Sequence, residues 1–132
     1  MRRDGPELDR GMRWVLLACG PMNVAGAVLF APPYPDARRH LGWPEPDPFY
    51  LWVLSAWILA FGVAYFAQGW TGRANRAVLA LGVWGKGVFA GVLIGRAAAG
   101  EFPALAGVAA VPDLVLAVVF GVWLWRPGRH RV

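Results

Sequence analysis

The chain has 132 residues, of which 58% are hydrophobic and 16% charged, and its mean hydropathy is +0.45. Ordinary soluble domains have roughly 45–50% apolar and about 25% charged residues, and their helices carry polar stripes, so these apolar blocks exclude a soluble helical bundle. The net charge of +5 could suggest nucleic acid. However, the arginines stand at the ends of apolar blocks and form no dense patch, which excludes a nucleic-acid partner and favours contacts with lipid headgroups.

Four apolar blocks follow one another along the chain, at about 12–31, 49–70, 75–96 and 103–125. Each is long enough to cross roughly 30 Å of hydrocarbon as a helix that rises about 1.5 Å per residue. The first block is too long for a secretory signal and lacks a small-residue cleavage pattern, so we expect it to be retained. The sequence therefore predicts one all-α membrane domain over residues 1–132, an integral membrane four-helix bundle surrounded by the lipid bilayer.

The connections between the blocks are uneven. Residues 32–48 contain six prolines, which predicts an extended, turn-rich outer loop. The later connections are short, and short links make neighbouring helices antiparallel. Nine arginines fall on the side of the two termini and three on the other side, so the positive-inside rule predicts cytoplasmic N- and C-termini. We therefore expect a multi-pass protein of the bacterial inner (plasma) membrane.

Small residues recur at every fourth position in the last two blocks. The third block carries Gly87, Gly91 and Gly95, and the fourth carries Ala106 and Ala110. Such ridges let helix backbones approach closely in lipid, where the usual hydrophobic driving force between helices is missing. These five positions are therefore predicted to be helix-packing residues.

Two charged residues, Lys86 and Asp113, stand near the middle of apolar blocks, and Asn23 stands at a similar depth. A lysine or aspartate at the bilayer centre costs roughly 2.5–3.5 kcal/mol, and pairing across adjacent helices would remove much of that cost. We predict that these three residues form a polar site at the midplane. Such a pair could fix the register of the helices, or it could serve a function, and the sequence leaves both interpretations open.

Two prolines accompany this predicted site, Pro21 before Asn23 and Pro112 before Asp113. Each is predicted to kink its helix and to free a carbonyl group that could line a polar cavity, as in the interrupted helices of transporters. Near the end of the second block, by contrast, Tyr65, Gln68 and Trp70 are interpreted as anchors at the membrane interface.

The sequence gives little indication of a disulfide, a metal site or a haem site. The single cysteine, Cys19, cannot form a disulfide within the chain, and His40 and His130 lie in different aqueous segments and cannot share a metal. The apolar blocks contain no histidine, so ligation of haem by paired histidines is excluded. No catalytic residue, metal or cofactor is therefore predicted.

Four segments carry a resemblance to a known family: NVAGAVLFAPP at 23–33, LAFGVAY at 59–65, LGVWGKG at 81–87 and PDLVLAVVF at 112–120. With these segments the chain resembles the small, mostly uncharacterised four-helix bacterial membrane proteins that are grouped as DoxX-like. The resemblance implies a link to quinone-coupled sulfur oxidation or to oxidative-stress complexes, and it implies no catalytic residue.

Three functions are compatible with these observations. The first is a non-enzymatic bundle that self-associates, or serves as a small subunit of a larger membrane complex. The second is a carrier of protons or of a small solute, which would use Lys86 and Asp113 at the midplane. The third, implied by the resemblance, is a redox accessory protein that binds quinone or lipid.

Overall fold

The computed structural model describes residues 5–126 of the chain, and these residues form six helical segments. The segments are α1 (Arg10–Phe30), α2 (Pro35–His40), α3 (Pro48–Thr71), α4 (Arg76–Ala98), α5 (Ala104–Ala109) and α6 (Val111–Trp125). Four spans are long and apolar enough to cross a membrane: α1, α3, α4, and α5 together with α6. Their ends differ from the predicted ones by at most two residues. The prediction of an all-α, multi-pass membrane protein is thus confirmed.

The spans are arranged as two antiparallel pairs, α1 with α3 and α4 with α6. The first pair is close because glycines stand where the two backbones meet. A Cβ atom added at Gly62 would lie 2.8 Å from the Cβ of Asn23, and one at Gly69 would lie 2.8 Å from the Cγ of Leu17. A Cβ at Gly20 would lie 2.8 Å from the Cβ of Phe66. Helix packing in lipid depends on such close approach.

The predicted glycine ridge of the third span does not pack against any part of the chain between residues 5 and 126. A Cβ added at Gly87, Gly91 or Gly95 would meet no described atom within 4 Å. Gly87 and Gly91 each follow an inward-facing residue, and one residue along a helix turns the side chain by about 100°. The ridge therefore lies on the outer surface of α4, and contact with a second chain through it stays a prediction. Ala106 and Ala110, in contrast, are fully buried.

At one end of the bundle, which we call the basic end, arginine side chains cap helices. Arg13 donates from Nε to the carbonyl of Gly69 at 2.9 Å and from Nη2 to that of Trp70 at 3.2 Å. Arg76 donates to the carbonyl of Leu124 at 2.8 Å. The last carbonyls of a helix lack partners within the helix, so these contacts satisfy the ends of α3 and α6.

The opposite end, which we call the proline-rich end, is an ordered cap. The Arg38 side chain is 1% exposed and donates to the carbonyls of Leu29 (2.6 Å) and Ala31 (2.8 Å), and to Glu45 (2.9 Å). The hydrogen bond from Arg38 is the main reason that the pKa of the Glu45 carboxyl lies below its usual value. The cap is less extended than predicted, because Pro35 begins the short helix α2 at a position where the missing N–H costs nothing.

The two prolines inside the spans behave differently. The first span continues as one helix through Pro21, and the kink predicted there stays a prediction. The fourth span is divided at Ala110, and Pro112 lies in the first turn of α6. A proline is tolerated at that place because the first N–H groups of a helix have no partner within it. The division places a helix N-terminus inside a membrane span.

Candidate functional site

A cavity of about 610 Å³ lies between the two helix pairs, at the middle of the spans. On the side of the basic end it is bounded by a cluster of buried residues from all four spans and from the link between α3 and α4. These are Met12, Leu16, Cys19, Tyr65, Ala74, Leu79 and Phe120. On the side of the proline-rich end it is bounded by a second cluster, which comprises Trp43, Ala90, Leu93, Ala106 and Ala110. Packed side chains therefore flank the cavity at both ends.

The walls of the cavity are mostly apolar, and they reach the surface of the bundle. Phe61 and Phe89 are among the apolar wall residues. The lining also includes exposed residues from α3, such as Leu54 and Trp57, and from α4, such as Leu81. The cavity therefore reaches the side of the bundle, with one opening between α3 and α4, at a height where the bilayer surrounds the bundle.

The structure brings the three residues of the predicted polar site together on the cavity wall. The Nζ of Lys86 lies 2.5 Å from an oxygen of Asp113 and 3.3 Å from the amide oxygen of Asn23. The Asn23 amide nitrogen donates in turn to the carbonyl of Ile58 at 3.0 Å. Three spans thus meet in one hydrogen-bonded group, and a fourth contributes a backbone carbonyl.

Local structure explains why each side chain fits this place. Asn23 can lie against α3 because the facing residue, Gly62, has no side chain. Asp113 lies in the first turn of α6, where the partial positive charge of a helix N-terminus favours a carboxylate. Lys86 extends from α4 toward both partners, and its side chain is 10% exposed. The break in the fourth span therefore positions the acidic member of the pair.

A fourth polar residue, Tyr65, also lines the cavity, and the sequence did not reveal it. Tyr65 is only 1% exposed, and its ring centre lies 5.9 Å from the Nζ of Lys86. Its hydroxyl packs so closely on Gly82 that a Cβ there would overlap it, and none of residues 5–126 hydrogen-bonds to this hydroxyl. The interpretation of Tyr65 as an interfacial anchor is wrong because Tyr65 shares the inward face of α3 with Gly62 and Gly69. That spacing of three and four residues was the available signal.

Gln68 and Trp70, which were interpreted as interfacial anchors together with Tyr65, lie in different environments. Trp70 is 71% exposed, as expected of a residue at the interface. Gln68 is buried, and its side-chain oxygen accepts from the backbone N–H of Asn75 at 2.7 Å. Gln68 thus holds the link between α3 and α4 and takes no part in the cavity.

Comparisons of the chain with protein-family models, with curated proteins and with solved structures found no match. The resemblance to DoxX-like proteins is therefore unsupported, and inferences about function rest on the cavity and its polar residues.

Proposed function

We propose that this membrane protein binds a small amphiphilic molecule, which enters the cavity sideways from the bilayer. The observation that carries the proposal is the cavity of about 610 Å³ with apolar walls and a group of converging polar side chains. Pockets for small molecules typically measure roughly 300–1,000 Å³ and combine those two features. The apolar walls suit a hydrocarbon part, and the polar group suits a head.

The lateral opening supports a ligand that is dissolved in lipid. A molecule that reaches the cavity between Trp57 on α3 and Leu81 on α4 never has to cross water. The packed clusters at both ends of the cavity also support entry from lipid, because they obstruct direct entry from either aqueous side.

The chemistry of the cluster favours binding over catalysis. A lysine acts as a nucleophile only as the free amine, whereas Lys86 is held in an ion pair with Asp113. The Ser55 hydroxyl donates to the carbonyl of Ala27 at 2.6 Å, in the interface of α1 and α3. We therefore place the protein among non-enzymatic membrane proteins, as a binding protein or as a ligand-binding subunit of a larger complex.

A carrier of protons or small solutes is the second candidate. The observation that favours it is the ion pair beside the broken fourth span, since interrupted helices with charged groups at mid-depth are typical of transporters. A carrier must open its site alternately to both sides of the membrane. In this bundle the cap with Arg38 and the cluster around Leu79 would both have to move.

Photolabelling tests the binding proposal. Two probes with the same long diazirine-bearing chain, an alcohol and its sulfate ester, are added to the protein in phosphatidylcholine vesicles. After illumination, mass spectrometry maps the labelled peptides. We expect at least one probe to label residues 54–61 and 81–89 saturably, and excess unlabelled alcohol or sulfate to suppress that labelling.

A pair of glycine variants provides the control. Gly85→Leu places a side chain at the cavity wall, whereas Gly121→Leu adds the same side chain on α6 away from it, and a Cβ at either position meets open space. Labelling of the cavity should fall several-fold in Gly85→Leu and stay unchanged in Gly121→Leu. Equal labelling of both variants and the wild type, or no saturable labelling by either probe, would contradict the proposal.

A further inference from the structure

The polar side chains that line the cavity, Asn23, Tyr65, Lys86 and Asp113, have no net charge together. Of the described residues that line the cavity, Lys86 and Asp113 alone carry a formal charge, and they lie in direct contact at 2.5 Å. Asn23 and Tyr65 add hydrogen-bonding groups without adding charge. A ligand therefore meets a group that is polar but neutral overall.

We infer that the cavity selects a ligand with a neutral oxygen-bearing head, a hydroxyl or a carbonyl, and rejects an anionic carboxylate, sulfate or phosphate. The inference rests on the proposed function. An anion could bind Lys86 only in competition with Asp113, and the carboxylate would then be left buried without its partner. Uncompensated charges in a low-dielectric interior are strongly unfavourable. A neutral head requires no such exchange.

The cluster retains hydrogen-bonding capacity that suits a neutral oxygen. An ammonium group has three donors, and Lys86 uses two of them for Asn23 and Asp113. One oxygen of Asp113 and the hydroxyl of Tyr65 receive no hydrogen bond from residues 5–126. A carbonyl oxygen can accept from Lys86 or Tyr65, and a hydroxyl can in addition donate to Asp113. Such hydrogen bonds are stronger in a low-dielectric interior than in water.

The two photolabelling probes separate this inference from the proposed function. They differ only in the head, which is neutral in the alcohol and permanently anionic in the sulfate ester. Labelling of residues 54–61 and 81–89 is divided by labelling of the lipid-facing Val115 and Val118 on α6, which corrects for partition into the bilayer. We expect the wild type to show a ratio at least about tenfold higher for the alcohol, the scale of one hydrogen bond to a charged group.

Two variants test the physical cause. Asp113→Asn leaves Lys86 as the single charge of the cluster, so the normalised labelling by the sulfate ester should rise about tenfold. Tyr65→Phe removes one hydroxyl and little else, so labelling by the alcohol should fall several-fold while labelling by the sulfate stays the same. Tyr50→Phe is the matched control, because Tyr50 is exposed at the proline-rich end of α3 and outside the cavity.

The outcomes are distinct. Equal cavity labelling by both probes, or stronger labelling by the sulfate ester, would overturn the selection of a neutral head and leave the proposed function standing. Failure of Asp113→Asn to increase labelling by the sulfate would overturn the electrostatic cause. If Asp113→Asn does not fold, the ratio of alcohol to sulfate labelling in the wild type decides, and a ratio near one overturns the inference. Absence of saturable labelling by either probe is the separate result that removes the proposed function.

Discussion

At the scale of single residues, the contact between Lys86 and Asp113 governs the middle of the bundle. Each side chain would be costly alone at this depth, and their separation of 2.5 Å makes each the main partner of the other. A buried ion pair adds little stability compared with a well-packed apolar pair, but loss of one partner leaves a buried charge alone. The effects of substituting Lys86 and Asp113 on the free energy of unfolding should therefore depend on each other.

A double-mutant cycle measures this coupling. Lys86→Met and Asp113→Leu should each lower the free energy of unfolding in detergent by roughly 3–5 kcal/mol, because each leaves an unpaired charge. The double variant should recover much of that loss. Strictly additive losses would contradict direct pairing in the folded protein. Thermal or denaturant melts of the four proteins provide the measurement.

A surface ion pair of the same chain serves as the reference for that cycle. Arg96 and Glu101 lie 2.6 Å apart, but both side chains are about half exposed. Exposed pairs contribute about 0–1 kcal/mol, so Arg96→Met and Glu101→Leu should show little coupling. Comparable coupling in both pairs would mean that the position of Lys86 at mid-depth has no special effect.

The sequence could predict which charged residues share a height, but not every residue that faces them. Depth follows from counting residues along a regular helix, so Asn23, Lys86 and Asp113 could be placed together in advance. Tyr65 was missed because its direction depends on the rotation of α3 about its own axis. That rotation is set by the glycines at 62 and 69 against α1, which is a tertiary contact.

At the scale of helices, the glycines between α1 and α3 matter more for stability than the glycines on the exposed ridge of α4. Gly62→Ala would force a methyl group to within 2.8 Å of the Cβ of Asn23, and overpacking of this kind typically costs about 1–3 kcal/mol. Gly91→Ala meets open space and gains helix propensity of up to about 1 kcal/mol. We expect a lower melting temperature for Gly62→Ala, and an equal or higher one for Gly91→Ala.

The same pair of variants tests whether the ridge of α4 packs against a second chain. Melts are combined with size measurements in detergent at several protein concentrations. A loss of assembly in Gly91→Ala without a change in the monomer would assign the ridge to contact between chains. Equal destabilisation by both substitutions would contradict the packing described for α1 and α3.

Small-residue spacing in a sequence identifies ridges without identifying their partners. Gly87, Gly91 and Gly95 have ideal spacing, yet a Cβ at any of them would meet open space. Gly87 and Gly91 are each turned by about 100° from the inward-facing residue before them, Lys86 and Ala90. Gly20, Gly62 and Gly69 are less regular and nevertheless make the close contacts. Which set of glycines makes close contacts depends on which face of each helix meets a neighbour. The spacing of residues in the sequence does not specify that face.

At the scale of the whole molecule, some arginines cap helix ends and others only add positive charge to one side of the membrane. The two groups must be counted separately. The sequence assigns nine to the side of the termini, namely Arg2, Arg3, Arg10, Arg13, Arg73, Arg76, Arg126, Arg129 and Arg131, and three to the other side, namely Arg38, Arg39 and Arg96. Arg2, Arg3, Arg129 and Arg131 lie outside the described residues. Arg13, Arg76 and Arg38 cap helix ends. Without these three, the sequence count is still seven arginines on the side of the termini against two on the other side.

The start of α1 and the end of α6 both lie at the basic end of the bundle, since Trp123 near the end of α6 donates to Asp9 before α1 at 3.1 Å. The bias of seven arginines against two at the opposite end should hold this end in the cytoplasm, because translocation of positive charge is disfavoured. A fluorescent-protein fusion after Val132 should therefore be bright, and an alkaline phosphatase fusion within residues 32–48 should be active. The reverse fusions, phosphatase after Val132 and fluorescent protein within that loop, should both be silent. Phosphatase activity from the C-terminal fusion would show that the bias of arginines does not set the orientation, and it would overturn the predicted topology.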